Sequence, residues 1–330
     1  MNIAIIGLGS MGRRRIRLLM QYVENNSCSN WKLVGIDMNE ERCTECSQIY
    51  NMETFSSIAE ACNHIQLQCA IVSTSPLTHE KIIWDCLNNN LHVFTELNLV
   101  SNGYDRCIQK AKELGKALFL SSTFLYRKEV QYIKSEIQKK GFQGTYRYHI
   151  GQYLPSWHPW EDYQNFFVAN KATNACREIF AIELPWLVDC FGDINRMYSK
   201  HKKCSSLDVD YDDTYQVIIE HDTGIIGTLC VDVVTPVTER NFEMFQENFY
   251  VAWHGTPDTL VWYDKNENKL KNIKLYDSID QREGYNQFVI ENAYYDEIKD
   301  YINVIQNGSV AKYSFEKDKG ILKIIDEIEK

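Results

Sequence analysis

Three stretches of the chain carry residues whose types and spacing could do chemistry. Gly7-Leu8-Gly9-Ser10-Met11-Gly12 has the G-x-G-x-x-G spacing of a loop that cradles the pyrophosphate of a dinucleotide. Gly7 would permit the tight turn, Gly9 the approach of the backbone to the phosphates, and Gly12 the close packing of a following helix, whose N-terminus favours negative charge. Asp37 closes the next apolar run, where a carboxylate would accept hydrogen bonds from the adenosine ribose and repel a 2′-phosphate. NAD is therefore expected over NADP. Arg42 could reach a phosphate, but it reads more simply as a helix-surface arginine.

The second stretch is Trp157-His158-Pro159-Trp160-Glu161, a concentration of aromatic, imidazole and carboxylate groups. Aromatic faces stack on sugars while imidazoles and carboxylates hold their hydroxyls, so Trp157 and Trp160 are candidate substrate residues and His158 a candidate acid or base. An aromatic plug anchoring an irregular loop explains the same residues equally well. The third stretch sets Arg177, Glu178 and Glu183 among Ile179, Phe180, Ala181 and Ile182 on an expected helix. Charges in such company are costly to bury without a partner or a purpose. An internal Arg–Glu ion pair is one explanation; the other makes Glu178 or Glu183 a proton acceptor and Arg177 a ligand for a hydroxyl or an anion.

No metal site is expected. His64, His201, His221 and His254 follow no ligand spacing, and the lone C-x-x-C of Cys43 and Cys46 lies in a helical pattern with no second pair.

The elements that must position these groups fall into two sets. Short β-branched runs at 3–6, 33–37, 69–73, 91–95 and 117–121 alternate with helical patterns at 12–23, 78–88 and 104–114, which is the rhythm of a parallel sheet covered on both faces. After about residue 122, a helical stretch at 128–139 gives way to two-periodic, aromatic-rich runs at 146–153, 214–220, 225–234, 248–253 and 259–262. Asp222-Thr223-Gly224 signals a hairpin between two of them, and helical patterns return at 289–306 and 317–328. The expected architecture is an α/β dinucleotide-binding domain over 1–122 and an α+β domain over 123–330 built on a large, mostly antiparallel open sheet.

Composition sets the class. A chain of 330 residues with 44% hydrophobic and 24% charged residues is an ordinary globular mix, long enough for about two domains. Its formal charge of −10 argues against nucleic acid or an anionic membrane as the main partner. The short cluster Arg13, Arg14, Arg15 and Arg17 sits where a helix would begin. An odd count of 11 Cys without repeated spacing fits a reducing cytoplasm, and no export signal or spanning segment is expected.

Beyond the glycine loop, Ser73-Thr74-Ser75-Pro76 followed by His79, and His92-Val93-Phe94-Thr95-Glu96, resemble the Gfo/Idh/MocA oxidoreductase family across the length of the chain. The resemblance implies NAD- or NADP-linked oxidation or reduction of sugars, cyclitols and their derivatives, in homodimers or homotetramers joined through the C-terminal sheet. It implies that Ser10 and Met11 lie against the pyrophosphate, that Ser73, Thr74 and Pro76 line the path to the nicotinamide ribose, and that His79 and Glu96 belong to the same rim.

Two departures stand out. Where the family has Glu-Lys-Pro, this chain has Glu96-Leu97-Asn98, so the proton-tuning lysine is missing. Where the family has a D-x-G-x-H helix start, Glu178 falls at the Asp position and Ile182 at the His position, with Glu183 beside it. The resemblance therefore favours a catalytic role for Glu178 or Glu183, and makes Lys171 a candidate substitute for the missing lysine, with Tyr126 and Arg127 as further candidates facing the nicotinamide. The expected activity is hydride transfer between NAD and a sugar derivative, such as a nucleotide sugar or cyclitol. The rivals are a non-catalytic dinucleotide or sugar sensor on the same fold, and a family enzyme with a non-sugar substrate such as a dihydrodiol.

Overall fold

A computed structural model describes residues 1–157, 162–282 and 286–330. The chain divides into two compact units, Met1–Ser122 with Tyr294–Gly320, and Thr123–Ala293 with Ile321–Lys330.

The first unit holds β1 (Asn2–Ile6), α1 (Ser10–Asn25), β2 (Lys32–Ile36), α2 (Glu40–Tyr50), β3 (Glu53–Phe55), α3 (Ile58–His64), β4 (Cys69–Val72), α4 (His79–Asn88), β5 (His92–Thr95), α5 (Tyr104–Leu114) and β6 (Leu118–Leu120). Its strands form one parallel sheet in the order β3-β2-β1-β4-β5-β6. Ile3, Ala4 and Ile5 and the whole of β4 are buried, as continuous apolar runs must be when helices cover both faces of a sheet. The strand order reverses between β1 and β4. That places the turns after these two strands beside the crevice in which open α/β sheets bind their ligands.

The second unit holds α6 (Lys128–Lys140), β7 (Thr145–Gly151), α7 (Ala175–Phe191), β8 (Ile194–Lys202), β9 (Thr214–His221), β10 (Ile226–Asp232), β11 (Glu239–Gln246), β12 (Phe249–Trp253), β13 (Val261–Asp264) and β14 (Lys269–Asn272). These strands form a sheet in the order β14-β13-β12-β11-β7-β10-β9-β8, antiparallel except where β10 pairs with β7. Alternation along β7 buries Tyr146, Tyr148 and Ile150, and the two tyrosines pack with Phe242 of β11 and with Trp186 and Phe191 of α7. The opposite face carries Thr145, Arg147 and His149.

Two helices close the chain, α8 (Glu291–Asn307) and α9 (Phe315–Ile328), and α8 counts with the first unit from Tyr294 onward. The sequence pattern lacked β8 and β11. In β11 only Phe242 and Met244 are buried, and β8 is a largely polar strand at the edge of its sheet, where one side needs no apolar cover. Among the described residues, no helix is long and apolar enough to cross a membrane.

Candidate active site

The cofactor candidates gather at the carboxyl ends of β1, β2, β4 and β5. Gly7 has φ +90°, and a Cβ there would lie 2.6 Å from the Ser73 carbonyl oxygen and 2.9 Å from Thr74 Cγ2, so the β1 and β4 turns touch and neither tolerates a larger residue at Gly7. A Cβ on Gly12 would collide with the Gly7 carbonyl, which is why the start of α1 can sit tightly on the loop. Gly9 is different, because the nearest protein atom to a Cβ there is Arg42 Nη1 at 3.9 Å. The space above Gly9 is open to a ligand. The α1 N-terminus has no side-chain cap and no acidic residue in its first turn, and Ser10 and Met11 are its first residues.

Asp37 stands at the same end. Its Oδ2 accepts the Leu8 N–H at 2.7 Å and its Oδ1 the Asn39 N–H at 2.9 Å, which fixes the carboxylate beside the loop. Arg42 Nη1 lies 3.8 Å from Asp37 Oδ2, on a half-exposed side chain of α2. At the β4 turn, Ser73 Oγ is buried without a hydrogen-bond partner, Thr74 Oγ1 is 2.8 Å from Thr78 Oγ1, and Pro76 opens a short 3-10 turn that leads into α4. An open cradle over Gly9, an uncapped helix start and an orphaned hydroxyl all suit a dinucleotide.

The remaining rim candidates are held by the protein itself. His79 is buried, its Nε2 donating to the Thr74 carbonyl at 3.0 Å and its Nδ1 lying 2.5 Å from the Asn98 side-chain amide, and burial lowers its proton affinity. Glu96 receives Arg15 in a paired contact, Nε to Oε1 at 2.5 Å and Nη2 to Oε2 at 2.9 Å. Arg15 is fully buried, bonds Glu297 at 2.7 Å and Ser121 Oγ at 3.2 Å, and lies over the Phe94 ring. Burial opposes its charge, yet the carboxylates of Glu96 and Glu297 hold its proton affinity above the ordinary arginine value. Arg14 and Arg15 are thus interior groups rather than parts of a basic surface.

The second unit sorts the catalytic candidates. Glu183 is fully buried, with an ion pair to Arg240 and hydrogen bonds from Tyr148 Oη at 2.8 Å and Trp186 Nε1 at 2.7 Å. Arg177 pairs with Glu329 at 2.5 Å and Asp326 at 2.7 Å, fastening the end of α9. Among the described residues Glu178 has no such partner: its Oε2 is sealed from solvent and unbonded, and burial pushes its carboxyl up to about 7. The N-cap Asn174 holds this first turn of α7 by accepting the Arg177 N–H at 2.8 Å.

Trp157 Nε1 is likewise buried and unbonded, and exposed Lys171 lines a hollow of about 480 Å³ with Asn174, Lys203, Tyr211 and Glu329. His158 and Trp160 lie outside the described residues. Tyr126 is buried; Arg127 pairs with Glu129 at 2.8 Å and donates to the Phe288 and Gly255 carbonyls, so its guanidinium serves the interior. Sequence reasoning missed Asn98, which replaces the proline of the family's turn. It is buried against His79, with its other amide atom unbonded. Its signal was the departure itself, a polar side chain in place of an apolar ring at the end of β5.

Residues 1–121 match the family model described as GFO_IDH_MocA, oxidoreductase family, NAD-binding Rossmann fold. No curated protein matches the chain. Among solved structures, an oxidoreductase from Agrobacterium radiobacter in complex with NAD+, L-tartaric acid and magnesium aligns at TM-score 0.81 and 9% identity, over 98% of this chain and 94% of that one. An NAD-binding oxidoreductase from Klebsiella pneumoniae aligns at 0.80 and 15%, over 100% and 96%. A UDP-N-acetylglucosamine 3-dehydrogenase from Acidithiobacillus ferrooxidans aligns at 0.70 and 14%, over 100% and 96%. At these identities the likeness is one of fold, and it extends beyond the residues matched by the family model. With its glycine loop and the acid that follows its second strand, the segment 1–121 is thus similar to the NAD-binding Rossmann domain of the Gfo/Idh/MocA oxidoreductases.

Proposed function

We propose that this protein transfers a hydride between NAD and a carbon bearing a hydroxyl or carbonyl group on a sugar derivative, with Glu178 as the proton-transfer group. Bound NAD would supply the hydride acceptor or donor. Gly7, Gly9, Gly12 and the start of α1 would hold its pyrophosphate, and Asp37 its adenosine ribose. Ser73, Thr74 and Pro76 would line the way to the nicotinamide ribose, with His79 and Asn98 keeping that turn in shape.

The observation that carries the chemistry is Glu178, whose Oε2 is unbonded among the described residues and whose carboxyl is pushed up to about 7. In the oxidising direction the substrate O–H gives its proton to the Glu178 carboxylate while the C–H hydride leaves, and a carbonyl forms; reduction reverses both transfers. Glu183 and Arg177, committed to ion pairs, serve as positioning residues on either side of it in sequence. A sugar is supported by the residue types of Trp157, His158 and Trp160, and by the nucleotide-sugar dehydrogenase among the structures of like fold. Lys171 would then bind substrate from its hollow. The test is turnover of nucleotide sugars, free sugars and cyclitols by wild type and Glu178→Gln; turnover in the variant equal to wild type refutes the assignment.

A sensor that binds dinucleotide without turnover is the second reading, favoured by Leu97 at the family's lysine position. Tight NAD binding with no turnover on that panel would establish it. We further propose that copies join through the open face of the large sheet, where exposed Tyr198 and Ile218 stand side by side, and that the protein works in the cytoplasm. Sedimentation of wild type against Ile218→Lys tests the contact.

A further inference from the structure

The face of the second sheet that turns away from the aromatic core carries a row of polar side chains in register. Asn241, His149, Cys230 and Gln216 stand side by side on β11, β7, β10 and β9. Asp232, two residues beyond Cys230 on β10, shares the face because side chains alternate along a strand. His149 Nε2 lies 2.8 Å from Asp232 Oδ2, and the ligating atoms of His149, Cys230 and Asp232 all fall within 4.8 Å of one another.

An imidazole nitrogen, a thiolate and a carboxylate are the donors that zinc and its neighbours prefer, and atoms bound to a tetrahedral ion at about 2.0–2.3 Å stand roughly 3–4 Å apart. We propose that His149, Cys230 and Asp232 bind one divalent metal ion of the zinc kind, with a fourth position left for water.

The surroundings orient these donors as an outer shell does. The backbone N–H groups of Val234 and Thr235 hold Asp232 Oδ1 at 3.1 and 2.8 Å, leaving Oδ2 to face the histidine. Gln216 Nε2 donates to Cys230 Sγ at 2.9 Å. On binding, the ion takes the place of the protons on His149 and Cys230, which leave to solvent. A simple His–Asp ion pair would account for two of these residues but not for the thiol in register beside them. No spacing motif announces the site, since His149 and Asp232 are 83 residues apart.

The experiment is calorimetric titration of the full-length chain, stripped with a chelator and dialysed, with Zn²⁺ alone, alongside the absorption spectrum with Co²⁺. One ion per chain and a thiolate-to-cobalt band are expected. Binding should weaken more than tenfold in His149→Ala and in Cys230→Ser, at least several-fold in Gln216→Ala, and not at all in Cys204→Ser, whose cysteine is exposed elsewhere. Circular dichroism confirms folding, and Gln216→Ala keeps all three ligands should either ligand variant fail to fold. Absence of saturable binding, a cobalt complex without the thiolate band, or affinity unchanged across the three site variants would overturn the proposal.

Discussion

Glu96 turns both of its carboxylate oxygens to the buried guanidinium of Arg15, at 2.5 and 2.9 Å. An acid at the carboxyl end of a parallel strand is well placed to meet a ligand, yet here its charge answers an arginine at 0% exposure. Truncating Glu96 removes this paired contact and leaves Arg15 beside Glu297. Glu96→Ala is expected to lower unfolding stability by about 1–3 kcal/mol in urea. A variant as stable as wild type but poor in NAD binding would show that Glu96 acts on the cofactor directly.

Gly9 separates the needs of the fold from those of the ligand. A Cβ there meets nothing closer than Arg42 Nη1 at 3.9 Å, so Gly9→Ala should fold with a midpoint within a few degrees of wild type. The added methyl would occupy the space expected for pyrophosphate, and NAD affinity should fall at least about tenfold. Unchanged affinity by calorimetry would move the phosphates away from this loop.

Asp37 Oδ2 and Arg42 Nη1 lie 3.8 Å apart, and on the proposed reading the pair discriminates between NAD and NADP. Removing the carboxylate in Asp37→Ser should raise NADP affinity about tenfold or more relative to NAD, because Arg42 then meets a 2′-phosphate without a competing charge. Adding Arg42→Ala should abolish that gain. An unaltered NAD to NADP ratio in Asp37→Ser would remove Asp37 from the ribose site.

Glu178 predicts a pH profile. A general base must be ionised, so kcat/KM for oxidation should rise with pH through about 7, and kcat/KM for reduction should fall across the same range. Glu178→Gln should lose both limbs and about 10²–10⁴ in rate. The stability linkage has its own sign. A carboxyl raised on folding favours the native state while protonated, and that contribution is lost as pH climbs from the ordinary glutamate range through about 7. Glu178→Gln should therefore gain thermal stability relative to wild type above neutrality; a pH-independent difference between the two would count against the shifted carboxyl.

Local pattern carried much of this protein. The G-x-G-x-x-G turn, the apolar runs of β1 and β4 and the acid at Asp37 are short-range signals, because steric demands at Gly7 and Gly12 and burial on both faces of a parallel sheet act on neighbours in sequence. The same holds for the alternation in β7, β9 and β10. Local pattern was silent where an element is kept by its neighbours rather than by its own residues, as in the polar edge strand β8 and in β11, with its two buried side chains.

Partner choice was decided in three dimensions. Glu178 and Glu183 lie on one helix in similar apolar company, and sequence alone offered both an ion pair or a proton to move. Only the arrival of Arg240, Tyr148 and Trp186 satisfied Glu183, while among the described residues Glu178 kept an unbonded Oε2. Arg15 found Glu96 and Glu297 in the same way, and His149 found Cys230 and Asp232. A buried charge costs or gains according to what stands within a few ångströms of it, and residues far apart along the chain meet only when the sheets and helices close.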